Sequence, residues 1–273
     1  MNPLFNKIFK NGSKTYYYSS FFFPPEVKED VFILYSFVRL ADDYVDTIPQ
    51  KKEEFYKFKD QYLQSLKEMK TGNPVIDSFR ELMKRKEFNP EWIDSFLASM
   101  ESDLYINSYE TMERLRQYLH GSAEVVGLMM AKILKLPPES YKSAEHLGRA
   151  MQFVNFIRDI DEDLRLGRNY FPRTDFKEFN LKSLNPEDVA ENPTGYASFI
   201  RKQLNVFYSW QKTAEEGLKY IPKRYLIPIK TASEMYKWTA RVIYDNPFVV
   251  YERKVKPSIP RIVATVGKNM ALR

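Results

Sequence analysis

The chain places acidic residues where acids are costly. Asp42, Asp43 and Asp46 lie inside VFILYSFVRLADDYVD, and Asp159, Asp161, Glu162 and Asp163 lie inside MQFVNFIRDIDEDLRLGRNYFP. No lysine falls between Glu29 and Gln50 to neutralise the first group. Ionised carboxylates in apolar surroundings are unfavourable unless a positive partner is bound beside them. The two clusters therefore imply a cation, and a metal ion suits them. On a helix, residues four apart share a face at about 6 Å. Asp42 and Asp46 thus point the same way, and Tyr35 and Arg39 continue that face. Gln152, Asn155, Asp159 and Asp163 form a second stripe, with Arg158 beside it. Two such helices facing each other present carboxylate and amide oxygens across a gap. Hard divalent ions, Mg²⁺ above all, prefer these donors and share them with substrate phosphates. Arg39 and Arg158 are then suitable phosphate partners.

A lone D-x-x-x-D on a helix usually marks a solvated face, but both helices here are apolar on nearly every side. A buried ion-pair network with Arg39 and Arg158 is the serious alternative, and it leaves more carboxylates than arginines. The elements that must hold the clusters read as helices nearly throughout. Pro24-Pro25-Glu26 opens a helix that runs to about Asp46. Breaks at Thr71-Gly72-Asn73-Pro74, Asn89-Pro90, Pro137-Pro138, Pro172 and Asn246-Pro247 divide the rest into helices of roughly 10 to 25 residues. Strand-type alternation is nearly absent. The stretch from Pro172 to Gly195 is expected to be the longest irregular segment, as a surface connection or a loop over the site. The expected fold is all-α: one domain over residues 1–273, a bundle of long helices around a central cavity.

Composition sets bounds on function. At 273 residues the chain can bury a substantial core. The absence of cysteine excludes disulfides and thiolate chemistry. No run of apolar residues is long enough for a membrane span. The start MNPLFNKIFKNG lacks a secretory core and the end VATVGKNMALR lacks a hydrophobic tail, so a cytoplasmic location is expected. The net charge of +6 comes from basic residues scattered among acids, as in KKEEFYKFK, KRKEF and RKVKPSIPR, so no nucleic-acid partner is expected. The 20 Phe and 19 Tyr suit an aromatic-lined pocket. Candidate lining residues are Tyr16, the Phe21-Phe22-Phe23 run, Phe32, Tyr35, Phe153 and Phe156. No G-x-G-x-x-G occurs among the nine glycines, and NADPH is not expected.

Over most of its length the chain resembles the squalene/phytoene synthase family of head-to-head prenyl synthases. Tyr35-x-x-x-Arg39-x-x-Asp42-Asp43-x-x-Asp46 is similar to the family's first metal motif. Gln152-x-x-Asn155-x-x-Arg158-Asp159-x-x-Glu162-Asp163, followed by Gly167-Arg168-x-Tyr170-Phe171-Pro172, resembles the second motif and its tail. Tyr118-x-x-Gly121-Ser122-Ala123-x-x-Val126-Gly127 looks like the small-residue helix at the centre of the product. Near the N-terminus, Gly12-Ser13-Lys14-Thr15-Tyr16 resembles a segment that touches the diphosphate. Tyr236 looks like a family tyrosine near the metal-diphosphate cluster, and Arg253 or Lys254 falls at a basic phosphate ligand. Two departures stand out. Asp161 replaces a common glycine and should face away from the site. Glu124 replaces a usually small residue and is expected to point outward or to pair.

The resemblance implies that two prenyl diphosphates join through their first carbons, by way of a cyclopropylcarbinyl diphosphate. It implies several Mg²⁺ ions held by Asp42, Asp43, Asp46, Asn155, Asp159 and Asp163. Tyr35 and Arg39 would act beside them. Ser13, Lys14, Thr15, Tyr16, Arg39, Gln152, Arg158, Tyr236 and Lys254 would bind substrate. Ser20, one turn beyond Tyr16, leaves a deeper tunnel and favours geranylgeranyl diphosphate and phytoene. Farnesyl diphosphate, giving dehydrosqualene or squalene, is the alternative within the family. A non-enzymatic assembly factor is the alternative outside it, opposed by the intact acidic stripes. A water-insoluble product also fits loose contact with a membrane surface.

Overall fold

The structure, a computed structural model, describes residues 2–67 and 70–271. Its first half holds α1 (Pro3–Gly12), α2 (Lys14–Ser20), α3 (Pro25–Asp46), α4 (Lys52–Ser65), α5 (Pro74–Lys86) and α6 (Pro90–Ser102). Next come α7 (Met112–Leu119) and α8 (Val125–Ile133), joined by a π-helical turn over His120–Glu124. The second half holds α9 (Tyr141–Arg158), α10 (Ile160–Arg165), α11 (Arg173–Glu178), α12 (Pro186–Glu191), α13 (Pro193–Glu215), α14 (Lys223–Asp245), α15 (Val249–Glu252) and α16 (Ile259–Ala271). Among the described residues the only β contact is a single bridge between Ser108 and Asn169.

One dipeptide starts many of these helices. Asn2-Pro3, Asn73-Pro74, Asn89-Pro90 and Asn192-Pro193 each put Asn at the cap and Pro in the first turn. The Asn side chain accepts from an otherwise unpaired backbone N–H, as Asn73 does from Val75 at 3.1 Å, while Pro needs no N–H partner there.

Two apolar cores result. One gathers α3, α4, α5 and α6, with Phe37 stacked on Phe79 at 3.8 Å between ring centroids. The other gathers α9, α13 and α14 around Phe153, Phe199 and Phe207. Burying each such ring contributes about 1.5–3 kcal/mol. Tyr16 packs against both cores, and the space between them is the cavity described below.

Glycines allow the closest helix crossing. A Cβ on Gly127 would lie 2.3 Å from the Ala144 carbonyl, and one on Gly148 would lie 2.3 Å from the Ala123 carbonyl. The backbone around α8 and that of α9 therefore touch directly, which anchors the helix that carries Asn155 and Arg158.

Two sequence expectations need correction. The Pro172–Gly195 stretch is not irregular, since α11 and α12 form within it and Val189 buries against the second core. The second acidic stripe is not one unbroken helix, because the backbone at Asp159 leaves helical angles (φ −102, ψ 15). Hydrogen bonds still run from Asp159 N to Asn155 O at 2.8 Å and from Asp163 N to Asp159 O at 2.9 Å, so the stripe keeps its register.

Candidate active site

The end of α3 supplies the first group. Tyr35, Arg39, Asp42 and Asp46 all line the cavity. The Arg39 guanidinium donates to Asp42 at 3.0 Å and pairs with Asp43 at 2.5 Å. That second pairing holds Asp43 on the rim, outside the lining, with 45% of its side chain exposed. The last turns of α9 and the start of α10 supply the second group: Gln152, Asn155, Arg158, Asp159 and Asp163 line the same cavity. Arg158 grips Asp159 through two hydrogen bonds, at 2.8 and 2.6 Å. Beyond α15, Lys254 reaches Asp159 at 3.2 Å and also pairs with Glu162. Arg253, its exposed neighbour, does not line the cavity, so of the two it is Lys254 that does. Asp161 turns away and pairs with Arg165 at 2.5 Å.

The electrostatics show too much negative charge for the cations present. Burial, and then the charge of Asp46, push the Asp42 carboxyl well above the usual carboxylate range despite Arg39. Its side chain is 29% exposed and lines the cavity. Burial likewise raises Asp163 well above that range, reinforced by Asp159 on its own stripe and by Asp46 on the opposite one. Both clusters line the one cavity, Asp42 and Asp46 from α3 and Asp159 and Asp163 from the α9–α10 segment. Burial acts to raise Asp159 too, but Arg158 and Lys254 outweigh it and hold its carboxyl below the usual range. A divalent cation fits this set for a further reason: the Asn155 Oδ1 is buried without any hydrogen-bond donor. A hard cation satisfies such an oxygen as well as the crowded carboxylates.

Sequence reasoning missed a buried brace between the stripes. Arg168, 4% exposed, donates to Asp46 at 2.5 Å and to the carbonyls of Val45 and Asp103 at 2.6 and 3.1 Å. Asp103 in turn accepts from the Tyr118 hydroxyl at 2.6 Å and the Tyr170 hydroxyl at 3.3 Å. Burial pushes Asp103 up to about 7, against the pull of Arg168. A single acid after α6 carried no spacing signal, which is why it escaped notice.

Behind the acidic mouth lies a cavity of about 800 Å³, at the large end of small-molecule sites (roughly 300–1,000 Å³). Ser13, Lys14 and Thr15 line it, as do Tyr16 and Tyr236, whose rings stack at 5.6 Å. Burial raises both phenols, Tyr16 well above its usual range. Ser122, Ala123, Val126 and Gly127 form a wall of small side chains. Among the proposed aromatics, Tyr16, Phe23, Tyr35 and Phe156 line the space. Phe32 and Phe153 instead fill the two cores, and Phe21 and Phe22 face solvent. Each ring's position followed its packing partners, which periodicity alone does not specify.

Among the described residues, one trio of His, Asp or Glu side chains brings ligand atoms within 4.8 Å of one another: His120, Glu124 and Glu145. It is a candidate site for one divalent ion, apart from the aspartates. Glu124 pairs as expected, with the buried Arg149 and with His120 at 3.1 Å. The aspartates stand farther apart, which suits ions bridged by a ligand's phosphates rather than enclosed by protein alone.

Comparisons with known proteins agree with this architecture. The chain is 27% identical over 267 residues to a 15-cis-phytoene synthase of Synechocystis sp., covering 91% of this chain and 78% of that one. It is 28% identical over 182 residues to a 4,4'-diapophytoene synthase of Staphylococcus haemolyticus, covering 64% of each. A solved ligand-bound dehydrosqualene synthase superimposes with a TM-score of 0.85 at 20% identity, over 98% of this chain and 95% of that one. The fold is thus the all-α isoprenoid-synthase bundle. Residues 9–262 match the squalene/phytoene synthase family, and the chain belongs to that family.

Proposed function

We propose that the protein is an Mg²⁺-dependent transferase that condenses two geranylgeranyl diphosphates head to head into phytoene. The observation that carries this reading is that two over-charged acidic stripes, the second including the unpaired Asn155 Oδ1, line the same deep apolar cavity. Asp42, Asp46, Asn155, Asp159 and Asp163 are the proposed metal-binding residues, with Asp43 adjusting Arg39 from the rim. When bound, Mg²⁺ supplies Lewis-acid stabilisation to a departing diphosphate. Arg39, Arg158 and Lys254 pair with its oxygens, and Ser13, Lys14, Thr15 and Gln152 orient it. Tyr16, Tyr35 and Tyr236 line the cavity, where aromatic rings stabilise positive charge. The apolar walls keep water from the allylic cation.

The chain-length part of the reading rests on Ser20. It is buried, lines the cavity, and donates to the Tyr17 carbonyl at 2.7 Å, so a small side chain stands one turn beyond Tyr16. Farnesyl diphosphate and a C30 product form the second reading, favoured by the likeness to the diapophytoene synthase. Purified protein, Mg²⁺ and each diphosphate, with and without NADPH, separate the two by hydrocarbon length and reduction state. The expected product is C40, unchanged by NADPH, and Ser20→Phe is expected to move it towards C30. A wild-type enzyme that makes C30 alone sinks the phytoene reading, and one that makes no hydrocarbon sinks the family-wide activity.

A further inference from the structure

Charge is divided along this chain in a way that its scattered basic runs conceal. Residues 1–25 and 253–273 together carry nine Lys and Arg and no Asp or Glu; Lys14, Lys254 and Lys256 line the cavity, while Lys7 and Lys10 lie on α1 and Arg261 and Lys268 on α16. With a net charge of +6 overall, residues 26–252 are therefore net acidic. The fold brings these two acid-free ends together, because α2 packs on α1 and also on α14 and α16. Tyr16 stacks on Tyr236 while Phe23 lies near Tyr225, so α2 runs antiparallel to α14. The Arg261 guanidinium sits over Trp238 and Asn269 donates to Thr231, so α16 runs antiparallel to α14 as well. The tips of α2 and α16 consequently point to the same end of the bundle.

That shared face is apolar where it meets solvent. On α16, Ile262, Val266 and Asn269 bury inwards, while Ile259, Val263 and Met270 stand out, the last two 56% and 51% exposed. Around them are Pro260, Ala264, Gly267 and Ala271, all exposed, and the helix's only charges are Arg261 and Lys268. Phe21 and Phe22 are exposed at the tip of α2, and exposed Lys7 and Lys10 lie on α1. A wide apolar helix face whose own charges are all cationic has the character of an element that lies in a lipid headgroup layer; of the acids beside the surface, Glu234 accepts from the inward Asn269 and exposed Glu26 follows the Phe21–Phe22 tip. Charge complementarity selects an anionic bilayer, where each basic residue near the surface adds about 1 kcal/mol.

We propose that α16 and the Phe21–Phe22 tip form a docking surface for an anionic lipid bilayer. The surface stands on its own geometry. Its use rests on the functional reading above: α2 is also a cavity wall, with Ser19 and Ser20 facing in, so a docked enzyme holds its hydrocarbon product one helix away from lipid. Transfer into water instead would cost about 0.8 kcal/mol per CH₂.

The test is co-sedimentation of the full chain, without substrate, with vesicles of phosphatidylcholine alone or mixed with phosphatidylglycerol. Binding is expected only to the mixed vesicles and is expected to weaken as salt rises. The pair Val263→Glu and Met270→Glu is expected to weaken it by about tenfold or more, with unchanged circular dichroism and unchanged turnover in detergent. Failure of the wild type to bind mixed vesicles overturns the proposal, as does equal binding by the double variant. A wild-type dimer in sedimentation velocity that the double variant dissolves also overturns it, by assigning the face to a second copy. Loss of turnover in an unrelated assay leaves this binding result intact, so the two readings fail separately.

Discussion

Asp163 carries the conflict between stability and chemistry in this site. Its carboxylate is half-buried, and the charges of Asp159 and Asp46 crowd it as well. A raised carboxyl in the folded state means that folding disfavours its charged form, so the penalty is present above the folded value and disappears below the unfolded one. Asp163→Asn keeps the shape and removes the charge. In metal-free buffer above neutral pH it is expected to raise Tm by several degrees, as about 1 kcal/mol shifts a chain of this size by roughly 2–4 °C. The same variant is expected to lose on the order of 100-fold or more in kcat, because it replaces an anionic ligand of the proposed Mg²⁺ site with a neutral amide. Calorimetry and product assay check both halves, and a fall in Tm would contradict the charge crowding. Single residues were only partly legible in the sequence. The spacing of Asp42, Asp46, Asn155 and Asp159 marked their shared faces. Arg168 was visible only as part of the second motif's tail and Asp103 not at all, because their significance lies in a hydrogen-bond brace across distant segments.

At the scale of elements, α9 is the beam on which the second stripe is mounted. Its position is set by the close crossing at Gly127 and Gly148, where backbone meets backbone. Gly148→Ala puts a methyl group 2.3 Å from the Ala123 carbonyl, a contact that no side-chain rotation relieves. Such overpacking costs about 1–3 kcal/mol. The expected outcome is a lower Tm together with weaker activity, since Asn155 and Arg158 move with the helix; an unchanged Tm contradicts the crossing. Helix starts were readable because Asn-Pro pairs act locally, through a cap and a missing N–H. The break at Asp159 and the π turn at His120–Glu124 were not. Both depend on how neighbouring helices press on a segment whose own residues permit a regular helix.

At the scale of the molecule, two cores meet along a cavity whose mouth holds like charges on both sides. A ligand that bridges the stripes therefore acts as a cross-link between halves. Mg²⁺ with inorganic pyrophosphate is expected to raise Tm well above either one alone, by a free energy of about 2.7 kcal/mol at a hundredfold excess over Kd. Added chelator should reverse the gain, and a flat Tm across these conditions counts against the site. Among the described residues no helix is long and apolar enough to cross a membrane. By itself, the sequence determined the helical class, the helix starts and the residue types gathered in each stripe, because these follow from short-range periodicity and local capping. Tertiary structure alone decided which rings face the cavity and which fill the cores. It also paired Asp46 with Arg168, and it joined the two acid-free ends of the chain into one face. Those outcomes depend on contacts between residues far apart in the chain, and spacing along a sequence holds no record of them.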